Sequence, residues 1–92
     1  MVVSTRFTWD EAKALANRRK HGVTFEEAIP AVLDPARIEI PDPDFDDRTR
    51  ILGRSTLNVL FVVVLDEAAT TRIISAREAN KREQEAYYNR RR

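Results

Sequence analysis

Residues 71–88, TRIISAREANKREQEAYY, gather Arg72, Arg77, Lys81, Tyr87 and Tyr88 within a few turns of chain. Guanidinium groups grip phosphate through paired hydrogen bonds, and an aromatic ring can stack on a base. A second basic cluster, Arg48, Arg50 and Arg54, alternates along RTRILGR, so that all three side chains share one face of an extended strand. Three guanidiniums in a row can hold successive phosphates, or they can pair with acids such as Asp46 and Asp47. The single histidine, His21, follows Lys20. It can move a proton near neutrality, or it can simply favour a helix C-terminus as a cation. The chemistry on offer is therefore anion binding, with proton transfer as an added possibility.

These residues need elements to hold them. Three Ser or Thr residues are each followed three places later by Glu, the spacing of a reciprocal N-terminal cap: Thr8 with Glu11, Thr24 with Glu27 and Ser75 with Glu78. They predict helices from Trp9 to Lys20, from just after Thr24 to Asp34 and from Ala76 into the Arg90–Arg92 tail. Gly22 stops the first, and Pro30 makes the second short or kinked. On the first helix Asp10, Lys13, Asn17, Lys20 and His21 fall on one side, with Ala12, Leu15 and Ala16 opposite. On the third, Arg77, Lys81, Gln84 and Tyr88 share an outward stripe, while Ala76, Ala79, Ala86 and Tyr87 share a packing stripe.

Between the helices the pattern is that of strands: Arg37–Ile40, Arg48–Arg54, Leu57–Leu65 and Arg72–Ser75, with turns at Asp42–Asp44, Gly53–Asn58 and Asp66–Thr70. The Leu57–Leu65 run is apolar on both faces, which predicts a central strand covered twice. Short connections favour antiparallel neighbours. The fold class expected is α+β: a small antiparallel four-stranded sheet packed with two N-terminal helices and one C-terminal helix, as a single domain over residues 1–92.

Composition narrows the classes. Ninety-two residues make one small domain. No cysteine is present, which removes disulfides and thiolate metal sites and fits a cytoplasmic setting. No leader peptide is read at the start, and no apolar run is long enough for a membrane helix. The Asp42–Asp47 loop lacks the glycine and the glutamate of a calcium loop, and a lone histidine does not make a zinc site. With Gly22 and Gly53 the only glycines, there is no phosphate-cradling loop. Net charge is +1, yet it is sorted: residues 34–47 carry six acids against Arg37, and residues 77–92 carry six bases against three glutamates. Such poles suit an anionic partner at one surface and a cationic partner at another, or they are ordinary solvated faces.

The sequence as a whole resembles the BrnT toxins. The resemblance is carried by Phe7-Thr8-Trp9-Asp10-Glu11, Lys13, Asn17, Lys20-His21-Gly22-Val23, Phe25-Glu26-Glu27-Ala28, Asp34-Pro35, Arg50–Gly53, Val59–Leu65, Arg72–Arg77 and Tyr87. It implies a RelE-like fold and a ribonuclease that arrests translation without a metal or other cofactor. It also implies a BrnA-like antitoxin, a ribbon-helix-helix DNA-binding protein forming a heterotetramer with the toxin, which touches operator DNA only through the antitoxin. The resemblance implies that Arg50, Arg72 and Arg77 are the basic residues beside the sheet, with Lys20 and His21 as neighbours. Together with the residue chemistry above, the expected catalytic residues are Arg72, Arg77, His21 and Lys20, and the expected RNA contacts are Arg50, Arg54, Lys81 and Tyr88. The other class that the sequence leaves open is a non-catalytic module that holds a DNA-binding partner.

Overall fold

A computed structural model describes residues 6–90. Its elements are β1 (Phe7–Thr8), α1 (Glu11–His21), α2 (Phe25–Val32), β2 (Ile38–Pro41), β3 (Arg48–Arg54), β4 (Val59–Glu67), β5 (Thr70–Glu78) and α3 (Lys81–Arg90). The fold is α+β, and its sheet has five strands in the order β1-β5-β4-β3-β2. The expected purely antiparallel four-stranded sheet is thus corrected. Phe7 and Thr8 pair in parallel with Thr71 and Arg72, which adds a short edge strand.

That pairing also moves the first cap. Thr8 is extended in β1, and the helix opens instead on Asp10, whose Oδ1 accepts from the Lys13 amide at 3.1 Å. α1 ends as expected at Gly22, left-handed at φ 71°. α2 carries the predicted reciprocal cap between Thr24 and Glu27, and with Pro30 inside it is short.

The third prediction fails in an informative way. The chain from Ser75 to Glu78 is strand, because Ser75, Ala76, Arg77 and Glu78 sit opposite Val63, Val62, Phe61 and Leu60 of β4. The cap pattern recurs five residues on as Asn80 with Glu83, where each side chain bonds the other's amide at 2.8 Å. α3 starts there. Arg77 therefore belongs to the sheet and shares no helical stripe with Lys81 and Tyr88, and Ala76 and Ala79 lie outside the helix too. The Arg91 and Arg92 part of the predicted tail falls outside the described residues.

β4 is the central strand, as its double apolarity required. Its Leu60, Val62 and Val64 are buried with Phe25, Ala28, Ala31, Ile51, Ile73 and Ala76 under α1 and α2. Gly53 makes this contact possible: a Cβ there would stand 1.9 Å from the Ala31 carbonyl oxygen of α2. Among the described residues, the other face is covered at one end, where Tyr87 of α3 and Ala79 pack on Leu52 and Val59. The Tyr87 hydroxyl donates to Asp34 Oδ2, which also takes the Arg54 amide at 2.8 Å, while Asp34 Oδ1 takes the Ala36 amide. One carboxylate thus ties α3 to β3 and to the end of α2.

α1 uses its polar side for packing. Asn17, 8% exposed, lies at the free edge of β5 beyond β1, where its Oδ1 accepts from the Ala76 amide at 3.1 Å. Its Nδ2 donates to the Ala76 carbonyl at 2.8 Å and to the Val23 carbonyl at 3.0 Å. The side-chain amide replaces a missing strand and satisfies backbone groups that burial would otherwise strand. Leu15, on the apolar side, is left 49% exposed.

Candidate nucleic-acid interface

The register decides which basic residues meet. Arg48, Arg50 and Leu52 of β3 stand opposite Leu65, Val63 and Phe61 of β4, and across β4 stand Arg72, Ser75 and Arg77 of β5. Arg72 and Arg77 are five apart, so in a regular strand they would point to opposite faces. The pairing skips Ile74: Val64 meets Ile73 and Val63 meets Ser75. This single-residue bulge reverses the alternation and brings both arginines onto the face of Arg48 and Arg50. The result is a strip of Phe61, Val63 and Leu65 flanked on both sides by guanidiniums, with α3 closing one end.

Phe61 is where the two rows converge. The Arg77 guanidinium lies 4.2 Å from the ring centroid and that of Arg50 lies 5.8 Å away, so one aromatic ring seats both cations. Arg48 rests on Phe45 at 4.1 Å, not on Asp46 or Asp47, and its Nε is buried with no hydrogen-bond partner.

Acids accompany the other three arginines. Arg50 meets Asp42 at 3.2 Å, and Arg72 meets Glu67 at 3.5 Å. Asp42 is chiefly a turn residue: the Asp44 amide holds its carboxyl below the usual range, with the Arg50 bond a lesser cause. Arg77 and Glu83 form a two-pronged pair, Nη1 to Oε1 at 2.8 Å and Nη2 to Oε2 at 2.9 Å. That pair holds Glu83 below, and Arg77 above, their ordinary pKa values. With Arg48 counted, four guanidiniums face three carboxylates, which leaves a small positive excess.

The remaining expected residues are dispersed. Arg54 shares the face by register but is exposed at the α3 end. Lys81 and Tyr88 are exposed on α3, Tyr88 lying edge-on to the buried Tyr87 at 5.1 Å between ring centroids. That division of the two tyrosines agrees with the sequence reading. Lys20 and His21 end α1, in the layer on the opposite side of the sheet. Among the described residues, no hydrogen bond, ion pair or ring contact joins them to the four arginines. Sequence reasoning passed over Phe61 and Glu83. The Asn80-to-Glu83 spacing was the available signal for Glu83; Phe61 carried none beyond its strand phase.

A guanidinium face of this kind can bind phosphates and stabilise charge that develops on one. A family model described as ribonuclease toxin, BrnT, of type II toxin-antitoxin system matches residues 9–83. No curated protein matches the chain.

Proposed function

The chain belongs to the BrnT family of ribonuclease toxins of type II toxin–antitoxin systems, and from that premise we propose that the Arg50–Phe61–Arg77 face is where it binds and cleaves RNA. The observation that carries the reading is the convergence of Arg50, Arg72 and Arg77 on one sheet face, achieved by the Ile74 bulge. The reaction is transesterification. A ribose 2′-oxygen bonds to the adjacent phosphorus, the bond to the 5′-oxygen breaks, and a cyclic phosphate is left. The 2′-hydroxyl proton passes to a base, and the leaving 5′-oxygen receives a proton. Guanidiniums supply the positive charge, with no metal in the scheme. Arg50 and Arg72 seat the phosphates, and Arg77 stabilises the phosphorane. Arg54, Lys81 and Tyr88 extend the contact along α3. Lys20 and His21 enter as proton-transfer candidates that would have to reach round the β5 edge.

A type II toxin has an antitoxin partner. In our reading it is a BrnA-like ribbon-helix-helix protein that forms a heterotetramer with the toxin in the cytoplasm and carries the operator contact. The test is cleavage of radiolabelled RNA by purified protein and by Arg72→Ala, Arg77→Ala and His21→Ala. Loss of one well-placed donor should slow cleavage by about a hundredfold, from a typical ~3 kcal/mol. Undiminished cleavage in all three removes this site from consideration.

The pairing of Arg50, Arg72 and Arg77 with internal acids favours a second reading, in which the arginines are structural and the chain only holds its partner. Expression without the partner separates the two: growth arrest with RNA loss supports the first, and unimpaired growth with tight partner binding supports the second.

A further inference from the structure

A guanidinium carries five N–H donors, two of them on Nη1, two on Nη2 and one on Nε. In Arg77, Nη1 donates to Glu83 Oε1 at 2.8 Å and to the Glu78 carbonyl at 3.1 Å, and Nη2 donates to Glu83 Oε2 at 2.9 Å. Three donors are thereby spent, two on the end of the group and one on its Cδ side, and the guanidinium carbon lies over the Phe61 ring, 4.2 Å from its centroid. What remains is the Nε–H and one Nη2–H, which lie parallel along the side of the guanidinium. Two parallel donors suit two oxygens of a phosphate.

Glu83 is itself fixed. Its Oε1 also accepts the Asn80 amide at 2.8 Å, and its own amide donates to Asn80 Oδ1 at 2.8 Å, so it is built into the first turn of α3. α3 is in turn docked through Tyr87 and Asp34. A long arginine side chain free in water samples many rotamers, and any ligand that fixes it must overcome that entropy. Here the fold has already ordered it.

We propose that Glu83 is a positioning residue for the ribonuclease reaction, holding Arg77 end-on so that its Nε edge is presented to a substrate phosphate. This rests on the reading of the face as the RNA site. The test compares wild type, Glu83→Gln and Asn80→Ala in RNA cleavage, and follows the Arg77 Nε–H by NMR while inorganic phosphate is added. Glu83→Gln loses one charged prong. It should lower kcat about tenfold or more with KM little changed, because misplacing a catalytic group is costly. It should also abolish the phosphate-induced shift of the Nε–H. Asn80→Ala breaks the cap and leaves the Arg77–Glu83 fork, so it should keep both properties.

Two cleavage results overturn the proposal. If Glu83→Gln cleaves as well as wild type and binds phosphate more tightly, the carboxylate is a competitor at Arg77. If Asn80→Ala reproduces the loss, the effect runs through α3 folding. If wild type cleaves no RNA, the functional reading falls, and the Nε–H still decides the positioning role. A shift with phosphate in wild type that vanishes in Glu83→Gln supports it, and a shift that persists, or is absent from both, refutes it.

Discussion

Asn17→Ala is the most demanding test of how this small fold holds its arginine face. The substitution strands three backbone groups: the Ala76 amide, the Ala76 carbonyl and the Val23 carbonyl. Each unsatisfied buried group costs about 1–3 kcal/mol. Asn17 is 8% exposed, so water can reach part of the vacated space, and the lower end of that range applies. The summed loss is then about 3–5 kcal/mol, counting the groups at roughly 1–1.7 kcal/mol each. A domain of this size has a total stability of about 5–14 kcal/mol, so the loss is a large share of it and at the lower end of that range unfolds the variant. Urea unfolding should show a lower midpoint with the slope unchanged, and the melting temperature should fall by about 12 °C or more. Leu15→Ala on the same helix, whose side chain is about half exposed and strands no backbone group, should cost less, about 1 kcal/mol. A loss under about 1 kcal/mol for Asn17→Ala would refute the claim that this amide stands in for a strand.

Other substitutions probe separate joints. Gly53→Ala pushes a methyl into the Ala31 carbonyl of α2, a backbone atom that cannot rotate away, and should cost about 3 kcal/mol or more by denaturant unfolding. Tyr87→Phe removes the hydroxyl bonded to Asp34 and should cost about 1–2 kcal/mol while RNA cleavage persists, since the ring is buried between α3 and the sheet. Acid should loosen α3. Glu83 has its pKa lowered in the fold by Arg77, so its contribution is present above the ordinary glutamate range and is lost as pH falls through the lower folded value. Glu83→Gln should therefore flatten the acid limb of a stability-versus-pH curve.

Local pattern served well where the deciding interactions are local. The Thr24 cap, the Gly22 stop and the short α2 around Pro30 depend on neighbours within a turn. The alternation of Arg48, Arg50 and Arg54 is a property of one strand, and the β3–β4 register keeps it. The cap spacing at Ser75 recurs at Asn80, and only pairing with β4 distinguishes them. At Thr8 it is pairing with β5 that overrides the cap pattern.

The α+β character, the central place of the Val59–Leu65 run, the burial of Tyr87 against the exposure of Tyr88, and the family are all legible in the amino-acid pattern. Tertiary structure alone decided that Arg72 and Arg77 share a face, because a bulge is a mismatch between two strands and exists in neither alone. It also decided that Glu83 holds Arg77, that Asn17 packs inward, and that Lys20 and His21 belong to the other layer. Each of these depends on which distant backbone lies alongside, and a helical or strand period carries no information about that.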